Sequence, residues 1–410
     1  MPILLTGGLL IDGTGAAPIS DGAVLIEGER VLEVGRAQEI TAPPGTTVID
    51  VTGKTIMPGL IDAHDHMSHT GFESAARLAS PLSLLMMKVA DNLRVTLEAG
   101  ITTVRDAGGL DAGFKQAVEQ GLIPGPRLVL GVSIISRTGG IGDPRLPNGA
   151  DLSGDLPGLP WPVADGVDEC RRKVREVVHA GADQVKLAST GGVSSLTLTA
   201  IDVAYTYEEV AAIADEARLQ GKRSFVHAYG GPGADYAIRS GIDSIEHGAY
   251  LCRNPEWLDR MAAQGTYLVP TFMVIDRHRT QGSPYARFKA TEMREEHALT
   301  MRMAMERGIP IAMGTDAAAY GHGHNAVELQ LLVEAGMTPM QAIVASTKTA
   351  AECSGLGKDV GTLTPGKYAD LLVVDGNPLD NVAILDQQAL LSMVMKGGKA
   401  YVDRISRSAD

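Results

Sequence analysis

Cysteine is scarce: Cys170, Cys252 and Cys353 are far apart, odd in number and show no C-x-x-C spacing. They build no disulfide framework and read as reduced thiols of a cytoplasmic protein. Aromatic residues make up only 4% of the chain, too few for a surface that stacks bases. No run of about 18 apolar residues occurs, so no membrane-spanning helix is expected. The start, "MPILLTGGLLIDGTG", has no basic region and meets glycines and Asp12 early, unlike a secretory leader. Lys and Arg form no cluster, and 36 basic against 49 acidic residues leave a net charge of −13. That balance argues against nucleic acid and anionic membranes as partners.

What is present is 410 residues, 44% of them hydrophobic, with 48 glycines. This suits an aliphatic core with many tight loops. Residues 1–57 show short alternating runs such as "GAVLIEGERVLEVG", parted by Gly, Pro and Asp turns, which predict antiparallel strands. The stretch 359–410 has the same texture, and the two ends together are expected to form one small β-sandwich domain. Between them, in 58–358, strand-like and helical runs alternate. Eight strand-like runs can be counted: "PGLIDAH", "GITTVRDAG", "PRLVLGVSII", "ADQVKLAST", "KRSFVHAYG", "IDSIEHGAY", "TYLVPTFMV" and "IPIAMGTDA". Eight strand–helix units predict an α/β fold, a (β/α)8 TIM barrel. Two stretches, 139–162 and 277–293, break the rhythm and are expected to be long functional loops. "LASPLSLLMMKV" is read as the buried face of the first barrel helix, with an interface as the alternative.

Barrel active sites lie at the C-terminal ends of the strands. His64 and His66 stand at the end of the first run, Lys186 in the fourth, His227 in the fifth, His247 in the sixth and Asp316 in the last. Alone, each has a plain explanation: a structural histidine, a snorkelling lysine, an aspartate capping a helix. Together they converge where such a fold builds its site. Strand alternation puts His64 and His66 on one face, so one ion can take both. Imidazoles and carboxylates suit zinc or a similar divalent ion.

The pieces "PGLIDAHDH", "VKLAST", "VHAYG", "IEHG", "GTDA" and "GTLTPGKYADLLVVDGNP" resemble the amidohydrolase superfamily along the whole chain, and within it the prolidase-like branch that cleaves Xaa-Pro and Xaa-Arg dipeptides. The resemblance implies a binuclear centre with Lys186 carboxylated by CO2 to bridge two divalent ions. It gives His64 and His66 to the more buried ion, His227 and His247 to the other, and Asp316 to the first ion and the hydrolytic water. Zinc is expected first; cobalt, manganese and iron suit the same donors. The activity implied is hydrolysis of an amide C–N bond in a dipeptide or N-acyl amino acid, by a cytoplasmic homo-oligomer acting on small molecules.

Other residues are expected around the substrate. Tyr229 shares the face of His227, His322 follows the last strand with Asn325 and Glu328 after it, and Arg137 and Arg145 flank the long loop where they can clamp a carboxylate. Ile141 departs from the branch: relatives place a histidine donor in the loop where this chain reads "TGGIGD". Loss of one such donor is worth about 3 kcal/mol of transition-state stabilisation. This raises a second reading, a hydrolase of a non-peptide amide, urea, carbamate or imidazolone-like cyclic amide. Deaminase action is disfavoured by Lys186, and a non-catalytic barrel scaffold by the complete ligand set.

Overall fold

The computed structural model describes residues 1–69, 79–152, 158–195, 197–317 and 321–405. At the start of the chain β1 (Ile3–Leu10), β2 (Ile19–Glu27), β3 (Arg30–Arg36), β4 (Thr47–Asp50) and β5 (Lys54–Pro58) form, each bounded by Gly, Pro or Asp turns. Then Gly59 carries the chain into β6 (Leu60–Asp65); a Cβ there would overlap the side chain of Thr102. The next strands are β7 (Ile101–Asp106), β8 (Arg127–Leu130), β9 (Ile134–Ile135), β10 (Gln184–Ala188), β11 (Arg223–Ala228), β12 (Ser244–His247) and β13 (Tyr267–Val269). They pair in parallel as β6-β7-β8 and as β13-β12-β11-β10-β9, with helices between them. Every residue of β6, β7, β10 and β12 is buried, as expected of parallel strands covered on both faces. Finally β14 (Leu371–Asp375), β15 (Leu391–Lys396) and β16 (Lys399–Asp403) join the opening strands in one sheet, β16-β15-β14-β5-β1-β2-β3. β14 lies antiparallel to β5.

The two largest apolar clusters among the described residues follow these layers. One, with Leu60, Ile101, Val104, Leu130, Val185, Val226, Ile245 and Leu268, sits between the parallel strands and their helices. The other, with Leu5, Val24, Ile26, Ile56, Val373 and Met393, belongs to the end sheet. Helix signals act where the sequence puts them. Thr206 accepts from the Glu209 amide and the Glu209 carboxylate accepts from the Thr206 amide, a reciprocal box that starts the helix Tyr207–Leu219.

Several elements differ from the sequence reading. The third run is split, because Val132 adopts φ 59° between β8 and β9. The seventh stops at Val269: Pro270 has no N–H for a ladder, Thr271 turns at φ 52°, and Phe272–Gln281 is helical. Residues 277–293 are not a loop. Ser283 accepts from the Ala286 amide and Pro284 opens a long helix, Pro284–Glu306, whose Ala286, Lys289, Ala290, Met293 and His297 share its buried face. The eighth run makes only a bridge from Ile311 to Leu268. The helix Leu82–Glu98 exposes its first turns, Leu82 at 49% and Met87 at 64%, and burial begins at Val89. Parts of the 139–162 loop (153–157) and of the stretch after Asp316 (318–320) lie outside the described residues. Among the described residues no helix is long and apolar enough to cross a membrane.

Candidate metal centre

Tight backbone contact brings Asp316 to His64. The amides of Thr315 and Asp316 both donate to the His64 carbonyl, at 3.1 and 2.7 Å. Gly314 makes that approach possible, since a Cβ there would sit 2.8 Å from His64 Cβ and 2.5 Å from a Val269 methyl. Asp316 and His247 hold φ values of 53° and 70°, and Thr271 beside them 52°. Such left-handed conformations cost a non-glycine residue about 1–3 kcal/mol each, and strain of this kind gathers at functional sites.

Each of the four imidazoles has one nitrogen occupied. Nδ1 of His64 meets Glu246 Oε2 at 2.6 Å, Nδ1 of His66 the Gly108 carbonyl at 2.8 Å, and Nδ1 of His247 the Thr271 hydroxyl at 2.7 Å. In His227 it is Nε2 that meets a carbonyl, that of Gly191, at 2.8 Å. The other nitrogen of each ring is left to bind. Donor atoms of His64, His247 and Asp316 lie within 4.8 Å of one another, and His66 Nε2 is 3.6 Å from Asp316 Oδ1. His227 joins through its ring, 4.5 Å from that of His247.

Lys186 Nζ, on β10, is buried and has no hydrogen-bond partner among the described residues. Burial brings its pKa down to about 8, against the pull of Glu246 and Asp316. Burial and then the Lys186 charge hold His64 well below the usual histidine range and bring His227 down to about 3, so both rings are neutral at pH 7. Burial raises the Asp316 carboxyl, opposed by His66 and Lys186. The donor set fits a divalent metal centre: four imidazoles each with one nitrogen not taken by these bonds, one carboxylate, and a buried amine that a bridging carboxyl group would satisfy.

Beneath the ligands is a support that the sequence reading missed. Glu246, fully buried, accepts from Arg105 Nη2 at 2.9 Å and from the Ser244 hydroxyl at 2.6 Å while it holds His64. Arg105 also donates to the Ala63 carbonyl and Ser244. A lone arginine in the apolar run "TTVRD" and an acid beside His247 in "SIEH" were the available signals. On the other side Asp62 accepts from Thr315 Oγ1 at 2.5 Å and from Asn325 Nδ2 at 2.7 Å, and Asn325 also reaches Asp65.

The expected substrate residues part company. Tyr229 is at the centre, stacked on His247 with ring centroids 4.9 Å apart. Ile141 is on the His227 side: a Cβ built on Gly192 would lie 3.3 Å from Ile141 Cγ2 and 3.8 Å from His227 Nε2. His322 is drawn into the support, its Nδ1 3.3 Å from Asp65 and its Nε2 3.0 Å from the His69 carbonyl. Glu328 is buried and accepts from the amides of Phe272 and Met273, so it caps that helix. Arg145 is committed to Asp143 through two bonds of 2.8 and 2.9 Å, and Arg137 donates to the Thr138 carbonyl. Neither arginine is brought to the centre.

The model of the amidohydrolase family matches residues 55–401. Ochratoxinase of Aspergillus niger is 30% identical over 426 aligned residues, which cover 97% of this chain and 86% of that protein. Imidazolonepropionase of Geobacillus thermodenitrificans is 26% identical, covering 94% of this chain and 91% of its own. Among solved structures, a prolidase complexed with N-methylphosphonate-L-proline superposes with a TM-score of 0.90 at 31% identity, over 98% of this chain and 100% of that one.

Proposed function

This chain belongs to the amidohydrolase family, enzymes that hydrolyse amide C–N bonds, and from that premise we propose that it cleaves a dipeptide or N-acyl amino acid at a binuclear centre. The observation that carries the reading is Lys186, a buried amine without a hydrogen-bond partner among the described residues, amid four imidazoles and Asp316. An amine that adds to CO2 and loses a proton becomes a carboxylate, the anion this position lacks. His64 and His66 would hold one ion, His227 and His247 the other, with carboxylated Lys186 between them and Asp316 on the first. Zinc suits the donors, as do cobalt, manganese and iron. Bound there, two divalent ions would lower the pKa of water and polarise the scissile carbonyl.

The chain's own residues supply the rest. Asp316, its carboxyl raised by burial, takes the proton of the attacking water on a carboxylate oxygen and gives it to the leaving nitrogen. An amide nitrogen leaves only when protonated, so this transfer is required. Tyr229, with its phenol pushed up by burial, stays a neutral donor for the substrate carbonyl or carboxylate. The fold reading is the matching one, a closed (β/α)8 barrel of 58–358 with a composite β-sandwich of 1–57 and 359–410. Supporting it, the Ala63 amide bonds the Met313 carbonyl and the Ala312 amide that of Leu268 at one seam, and the Asp183 amide that of Leu130 at the other. Homo-oligomer formation is also proposed, on the exposed Leu82, Leu84 and Met87.

A likeness to a prolidase complexed with N-methylphosphonate-L-proline supports the peptide-like substrate. Ile141 favours a second reading, a non-peptide amide, urea, carbamate or cyclic amide, because it brings an apolar side chain to the His227 side. Metal-reconstituted protein incubated with dipeptides, N-acyl amino acids, aryl amides, ureas and carbamates, followed by mass spectrometry, decides. Loss of dipeptides or N-acyl amino acids is expected; turnover confined to the other compounds would overturn the first choice.

A further inference from the structure

We propose that Lys289 is a positioning residue that holds the wall of the site beside His227, and that this wall governs substrate binding. Lys289 lies on the helix Pro284–Glu306, outside the ligand set, and is 8% exposed. Its ammonium donates to three carbonyls of one segment: Gly192 at 3.1 Å, Ser195 at 2.8 Å and Leu198 at 2.6 Å. Three N–H groups meet three acceptors, which uses the full capacity of the ammonium. Burial lowers its pKa and the charge of Asp202 opposes this, but among the described residues no carboxylate hydrogen-bonds it. Burying a charge without a bonded counter-ion is costly, and a methionine would pack the same stem without that cost. Particular to the ammonium are these three bonds and its place 4.2 Å from the Tyr285 ring centroid, and of the two it is the bonds that reach the segment beside His227.

The segment they hold leads from the end of β10 to the site. Its base is closed by the Gly191 amide on the Asp202 carbonyl at 2.8 Å and by a bridge from Thr190 to Val203. At that base the Gly191 carbonyl accepts from His227 Nε2, which leaves Nδ1 as the free nitrogen of the ring. The next residue, Gly192, adjoins both Ile141 and the His227 ring, and it is the first carbonyl that Lys289 takes. So the residues that face a substrate on the His227 side are tied from outside, across about a hundred residues of sequence.

The test compares Lys289→Met and Lys289→Arg with the wild-type holoenzyme. Hydrogen exchange in peptides spanning 191–202 is expected to rise in Lys289→Met and to stay unchanged in those spanning β6 and β12. KM is expected to rise about tenfold, the loss of a set of charged hydrogen bonds, while kcat changes by less than about threefold. Lys289→Arg, which restores donors, recovers much of both. Unchanged exchange in a folded Lys289→Met protein would overturn the proposal. So would raised exchange with unchanged KM, or a parallel fall of stability and kcat that arginine does not rescue. The kinetic half rests on the hydrolysis proposed above and the exchange half does not. A wild type without turnover would sink that reading and leave exchange to decide on Lys289.

Discussion

Two lysines are buried within one site, and the structure treats them in opposite ways. Lys289, at the wall, has three carbonyl acceptors for its three N–H groups. Lys186, on the floor, has none among the described residues, and the Phe225 ring lies 5.0 Å from its amine. A satisfied ammonium holds a structure in place. An unsatisfied amine costs free energy as it stands, and it makes sense where chemistry is to be done on it or through it. The contrast extends to the surroundings. Around Lys186 lie strained backbone at His247 and Asp316 and a buried Arg105–Glu246 pair that holds His64; around Lys289 a loop that opens on two glycines is tied by its carbonyls. Floor residues should therefore act on metal and kcat, wall residues on KM and selectivity.

The sharpest separation is expected from Lys186→Met, which removes the amine and keeps the volume. Steady-state turnover should fall about 10³-fold or more, the scale of losing a principal electrostatic element. A variant that kept most of its kcat would place Lys186 with the structural lysines. Next comes Glu246→Gln, which preserves shape and removes the charge that holds His64. Metal affinity, read by competition with a chelator, should weaken about 10–100-fold. Equal affinity would mean that the His64 ring is fixed without Glu246. On the wall, Ile141→His should raise kcat/KM for dipeptides about tenfold or more relative to aryl amides by returning a donor to the His227 side. A uniform loss for all substrates would contradict that placement.

The smallest effect is expected outside both regions. Burial pushes Asp143 up, but the hydrogen bonds from Arg145 and from the Gly139 amide prevail and bring it down to about 2. A carboxylate lowered in the folded state stabilises above its unfolded pKa of about 3.9, and that contribution is lost as pH falls toward 2. Arg145 is 43% exposed and solvent-screened. Arg145→Ala should leave kcat and KM unchanged and move Tm by less than about 2 °C at pH 7. A large rise in KM would restore the clamp first expected of this arginine.

Much of the floor was readable because strands order it. His64, Lys186, His227 and His247 stand on the parallel strands that their apolar runs predicted, and His64, His247 and Asp316 do come within 4.8 Å of one another, although the run before Asp316 forms a bridge rather than a strand. Their partners were not readable in the same way. Arg105 and Glu246 meet across 141 residues, and nothing local in either run says which acid a buried arginine will choose. Lys289 was hidden by its neighbours, one charge among several in "ARFKATEMREE", behind a "QGSP" turn that looked like the start of a loop. The helical spacing of Ala286, Lys289, Ala290, Met293 and His297 was present and was outweighed by that turn. His322 and Arg145 show the reverse failure: suitable chemistry near the site, spent on Asp65 and Asp143.

The measurement that bears most directly on Lys186 is the intact mass of the active protein under native conditions, with fragmentation to locate the modification. The chain mass plus one CO2 on Lys186 and two divalent ions is predicted, with both ions and activity lost in Lys186→Met. An active protein with unmodified Lys186 and a single ion would contradict the binuclear reading and leave its orphaned amine without a role.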